Sequence, residues 1–124
     1  MNTLLTILLA YFLLRLVSRI ILHYMEDDVR VLLIDDMRDI DADVVARTYD
    51  EGIEALKSQG PFNILYLDHD LGDENPRHTG YGIMCFLEEN QEYLPDQIVI
   101  VSSNPVGRRN MQVVIDKLYK GEEE

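Results

Sequence analysis

The sequence predicts an α/β domain, a mostly parallel sheet of about four strands flanked by helices, with an extra hydrophobic helix at the N-terminus. Three observations carry this expectation. Four short apolar, β-rich runs alternate with segments of helical period, and parallel strands are joined through such crossovers. The first, third and fourth runs each end in a polar cluster, as strands buried on both faces do where they open onto an edge. The 124 residues, 47% of them apolar and 27% charged, suffice for one core and leave no room for a second. The expected organisation is a hydrophobic helix over residues 1–25, one α/β domain over 26–121 and an acidic tail at 122–124.

The first element differs in composition from all that follows. Residues 1–25 hold two arginines and no acid, whereas all 23 acidic residues come after Met25. A helix from Leu4 to Leu22 would be roughly 28 Å long, close to the thickness of a bilayer core. Arg15 and Arg19 lie i,i+4 in its second half, where they can snorkel and would hold the following domain on the cytoplasmic side. No basic residue precedes the apolar run and no small-x-small site ends it, so a cleaved signal peptide fits poorly. Three readings stay open: a membrane anchor through residues 4–22, an extension ahead of a start at Met25, and an in-plane amphipathic helix.

Val29 to Ile34 forms the first strand and leads into Asp35 and Asp36. The acidic stretch Met37–Asp43 is too short for a packed helix, so Val44–Tyr49 reads as a second strand with no crossover helix before it. Asp50 is a suitable N-cap for a helix that turns Ile53, Ala55 and Leu56 inward and stops at Gly60-Pro61. Phe62 to Leu67 is a third strand closed by Asp68-His69-Asp70-Leu71-Gly72. Residues 72–80 hold turn-forming types and no apolar side chain, which predicts a solvated loop containing His78. Tyr81 to Tyr93 reads as a helix with Ile83, Phe86, Leu87 and Asn90 on one face, and Ile98 to Val101 as a fourth strand. From about Arg109 to Tyr119, Met111, Val114, Ile115 and Leu118 recur at helical spacing.

The strand ends bring candidate chemistry to one edge. Asp35, Asp36 and Asp68 together form a partial shell of hard oxygen ligands, suited to Mg²⁺ or Mn²⁺; some could instead be caps facing solvent. His69 between Asp68 and Asp70 is a candidate acid or base, provided the third strand ends at Asp68, and is otherwise a structural histidine. Ser102, Ser103, Asn104, Gly107, Arg108 and Asn110 have the make-up of a phosphate cradle leading into a helix, or else of an ordinary helix start. The acidic surplus, net −12, argues against duplex nucleic acid as a partner and leaves a small phosphorylated ligand or an RNA terminus. One cysteine, Cys85, permits neither an internal disulfide nor a structural zinc site, and nothing in the sequence names a protein partner.

The acidic pair in Val31-Leu32-Leu33-Ile34-Asp35-Asp36, the aspartate in Ile64-Leu65-Tyr66-Leu67-Asp68 and the hydroxyl in Ile98-Val99-Ile100-Val101-Ser102 resemble a response-regulator receiver domain. Asp68-His69-Asp70-Leu71-Gly72, Thr79-Gly80-Tyr81 and Asn104-Pro105-Val106-Gly107-Arg108-Arg109-Asn110-Met111 resemble more closely the divergent, receiver-like family of cyclic-phosphate processing receiver domains. The resemblance covers residues 29 to about 119. It implies a receiver-like sheet whose pocket accepts a ligand bearing a cyclic phosphate, such as a 2′,3′-cyclic RNA end or a cyclic nucleotide. It places Asp35, Asp36 and Asp68 in the metal pocket, His69 and Asp70 as an added polar pair and Ser102 as the hydroxyl. Two departures stand out. Val101 occupies the position where the family usually has histidine, and the final strand and lysine of an ordinary receiver are missing, so that the domain is truncated at its C-terminus. The expected activity is metal-assisted hydrolysis of the cyclic phosphate, catalysed by Asp68, His69 and Asp70. The alternative is a non-catalytic sensor or a degenerate receiver module.

Overall fold

The computed structural model describes residues 2–27 and 29–120. After helix α1 (Thr3–Asp27) come β1 (Val31–Ile34), β2 (Val44–Ala46), α2 (Tyr49–Ser58), β3 (Ile64–Leu67), α3 (Gly80–Glu89), a 3-10 turn (Gln91–Tyr93), β4 (Gln97–Ile100) and α4 (Pro105–Tyr119). The strands form one parallel sheet in the order β2-β1-β3-β4. The expected α/β architecture is therefore present, including a second strand reached without a crossover helix.

One face of the sheet makes the core. Leu32, Ile34, Leu65 and Leu67 are fully buried against Ala55, Leu56, Ile83, Leu87 and Met111 of the three following helices. Burying each such leucine or isoleucine contributes about 1.5–3 kcal/mol relative to exposure. Right-handed crossovers put α2 and α3 on this face, and the β1–β2 connection, which runs the other way across the sheet, on the opposite one. There Ile40 and Ala42 are half-buried and Leu33 is fully buried. Asp43 closes that connection, its carboxylate and its amide bonding the amide and carbonyl of Val31 at 2.7 and 2.9 Å.

Several element boundaries differ from expectation, each for a local reason. α2 is capped by Thr48, whose hydroxyl accepts from the Glu51 amide at 3.1 Å, so Asp50 lies in the first turn and not at the cap. The second strand accordingly ends at Ala46. α3 starts at Gly80 under a Thr79 cap and gives way after Glu89 to the 3-10 turn. The largest correction is α4, which begins at Pro105, about four residues earlier than apolar periodicity suggested. Asn104 caps it by accepting from the Gly107 amide at 3.0 Å, and Pro105 suits a first turn that lacks an amide partner in any case. Its buried side is the expected one, with Met111 and Val114 inward.

α1 stands apart from this core. Thr3–Ile21 is long and apolar enough to cross a membrane, and none of it is buried.

Candidate functional site

The parallel register builds the site. Ile34 pairs with Leu67 and Leu67 with Ile100, and the ladder continues one step further through Asp68 N–H to Ile34 C=O and Val101 N–H to Leu67 C=O, both 3.0 Å. Asp35, Asp68 and Val101 thus occupy one level on three neighbouring strand ends. Strand β3 stops at Leu67 and its ladder at Asp68, so strand alternation no longer dictates where His69 and Asp70 point.

Ligand oxygens of Asp35, Asp36 and Asp68 all lie within 4.8 Å of one another. Asp35 is wholly buried, Asp36 half-buried and Asp68 6% exposed. The set is all oxygen, anionic and partly open, which fits Mg²⁺ or Mn²⁺ better than a soft metal.

These carboxylates are ordered by a residue that sequence reasoning missed. Arg38 Nη1 sits 3.0 Å from Asp35 Oδ2 and 3.4 Å from Asp68 Oδ2, bridging the two acids. Asp35 Oδ1 meanwhile accepts the amides of Met37 and Arg38, each at 2.9 Å, turning the chain so that the arginine folds back over the strand ends. Arg47 secures that turn from just past β2, its Nη1 donating to the carbonyls of Arg38 and Asp35 at 2.6 and 3.1 Å. The available signal was the i,i+3 spacing of Asp35 and Arg38, which becomes a contact only once the turn has formed.

The two acids are electrostatically unlike. Burial pushes Asp35 up, but the amides of Arg38 and Met37 and the Arg38 guanidinium outweigh it, so its pKa is lowered. Asp68 is raised, first by burial and then by the charge of Asp35, against the opposing pull of the His69 amide, the Ser102 hydroxyl and Arg38.

On the helix side of this cluster, His69 Nδ1 lies 3.0 Å from Asp70 Oδ1, and Asn104 Nδ2 donates to Asp70 Oδ2 at 3.3 Å. The imidazole lies against Gly107: a Cβ there would overlap ring Cγ and stand 2.6 and 2.8 Å from Cδ2 and Nδ1. His69 and Asp70 are therefore seated by the start of α4. Gly80 plays a similar part, donating its amide to the His69 carbonyl at 2.8 Å.

The structure brings part of the expected phosphate cradle together. Ser102 is buried, accepts from the Asn104 amide at 3.0 Å, and its carbonyl receives Arg108 Nη1 at 2.8 Å. The Gly107 amide is taken by the Asn104 side chain and the Arg108 amide by the Asn104 carbonyl. Side chains, more than a ring of free helix amides, are thus what this end of α4 offers an anion. Ser103, Arg109 and Asn110 are exposed. His78, expected to be solvated, is instead stacked on Tyr49 at 4.3 Å and held 2.7 Å from Asp73, because aromatic packing and a charged acceptor outweigh hydration of its half-buried ring.

The sequence profile of the cyclic-phosphate processing receiver domain matches residues 30–117. Comparisons with curated proteins and with solved structures give no match. The matched span runs from β1 into α4 and contains every candidate site residue.

Proposed function

The chain belongs to the family of cyclic-phosphate processing receiver domains, and from that premise we propose that it carries out metal-assisted hydrolysis of a cyclic phosphodiester. The observation that carries this reading is a cluster of three carboxylates at two neighbouring strand ends, followed directly in the chain by an imidazole that Asp70 and the first turn of α4 hold in place. The ligand class is a 2′,3′-cyclic phosphate RNA end or a cyclic nucleotide.

Ring opening requires an activated water, neutralisation of the phosphoryl oxygens and a proton for the leaving oxygen. Asp35, Asp36 and Asp68 would hold Mg²⁺ or Mn²⁺, which when bound supplies Lewis acidity and lowers the pKa of water. Asp70 engages Nδ1 of His69, so that the imidazolium, protonated on both nitrogens, would give its Nε2 proton to the departing oxygen and keep its Nδ1 proton hydrogen-bonded to Asp70. Arg108, tied to the Ser102 carbonyl, keeps a guanidinium beside the end of β4 for the phosphoryl charge.

Val101 favours a second reading. It stands level with Asp68 on the next strand, where the sequence resemblance expects histidine, so the native chain lacks one proton carrier beside the carboxylates. Without it the domain would bind a cyclic phosphate as a sensor. The deciding experiment follows a 2′,3′-cyclic mononucleotide by ³¹P NMR in Mn²⁺. Slow ring opening is expected, raised in Val101→His by about 10²- to 10⁴-fold and lost in Asp68→Ala and His69→Ala. Binding without product from both the native protein and Val101→His would establish the sensor instead.

The same proposal places the domain on the cytoplasmic face of a membrane, anchored by α1, because Thr3–Ile21 is apolar and wholly unburied.

A further inference from the structure

Arg38 occupies the space between the two most buried ligands of the acidic cluster. Its Nη1 contacts Asp35 Oδ2 and Asp68 Oδ2 together, the side-chain oxygens not already engaged by the Met37, Arg38 and His69 amides. A cation drawn to the same cluster seeks those oxygens too, and two positive charges cannot share them at contact distance. The guanidinium is held by side-chain contacts that can break, at 37% exposure, while its backbone is clamped by Arg47. It can therefore swing out without unravelling the turn.

We propose that Arg38 is a tethered counter-ion: it neutralises Asp35 and Asp68 in the metal-free protein and competes with a divalent cation for their oxygens, so that cation binding displaces its guanidinium. The proposal rests on the metal reading above and adds a consequence that reading does not need. An ordinary surface ion pair would leave cation affinity nearly unchanged when removed. A competitor's removal must tighten it, because the cation no longer has to expel a bound charge.

The test is Mn²⁺ titration by isothermal calorimetry and electron paramagnetic resonance on the full chain in detergent, comparing native protein with Arg38→Gln. Arg38→Gln should bind Mn²⁺ about tenfold tighter or more. A measurement on the native protein guards against misfolding of the variant: on addition of Mg²⁺, the Arg38 Nε–Hε signal should move toward that of a free arginine as the Asp68 amide shifts. Should native protein bind Mn²⁺ and Arg38→Gln bind it no tighter, or should Asp68 respond to Mg²⁺ while Arg38 does not, the counter-ion role is overturned and the metal site stands. If neither protein binds Mn²⁺, the metal site falls and the competition falls with it.

Discussion

Gly107→Ala sets two magnitudes of opposite sign against each other. Gly107 sits in the first turn of α4 and its φ is not positive, so the backbone accepts alanine, and helix propensity alone predicts a gain of about 0.5–1 kcal/mol. The new Cβ, however, would overlap Cγ of His69 and approach Cδ2 and Nδ1 at 2.6 and 2.8 Å. Carbon contacts relax near 3.5–4.0 Å, so the ring or the helix must yield by about 1 Å. Overpacking of that kind costs about 1–3 kcal/mol, which offsets or outweighs the gain and leaves the variant less stable by about 0–2.5 kcal/mol. Placing the same substitution on His69→Ala removes the obstacle, and alanine should then stabilise. Urea unfolding of the four proteins of this double-mutant cycle at pH 7 measures the coupling, expected at about 1–3 kcal/mol. A ring-nitrogen NMR spectrum of Gly107→Ala should show His69 parted from Asp70. If Gly107→Ala stabilises equally in both backgrounds, and the His69 ring signals stay put, the contact is not what seats the imidazole.

The two buried acids should respond oppositely to neutralisation. With its pKa lowered, Asp35 contributes stability above its ordinary value of 3.8 that is lost as pH falls through its folded pKa, so Asp35→Asn should cost about 1–3 kcal/mol at pH 7 and little at acid pH. Asp68, with its pKa raised, contributes most below that ordinary value and loses this as pH rises through its folded pKa; Asp68→Asn should therefore raise the metal-free Tm at pH 7. Calorimetric scans across pH check both, and a fall in Tm for Asp68→Asn at pH 7 would contradict the assignment. For α1, the full chain should sediment with membranes and a chain begun at Met25 should remain soluble and folded; recovery of the full chain in the soluble fraction without detergent would remove the anchor.

Local pattern along the chain is enough to specify the strands and the inward helix faces. Apolar runs such as Val31–Ile34 and Ile64–Leu67 specify buried strands, and the acids that follow them must leave the sheet at one edge, because parallel strands end on the same side. Met111, Val114 and the residues spaced with them likewise define the inward side of α4. Features that depend on contacts between distant segments arise only on folding. The start of α4 follows from Asn104 capping Gly107, which apolar spacing cannot register, since Pro105 to Arg108 carry few core side chains. His78 is drawn half out of solvent because α2 brings Tyr49 against its ring. Arg38 looks like one more surface charge in the sequence, and its role appears only when β1 and β3 pair and set Asp35 beside Asp68. The same pairing makes one carboxylate easier to ionise and the other harder, although both follow apolar strands. Composition sets the charges that are present; through-space distance, burial and hydrogen bonding set their energies, and these exist only in the folded chain.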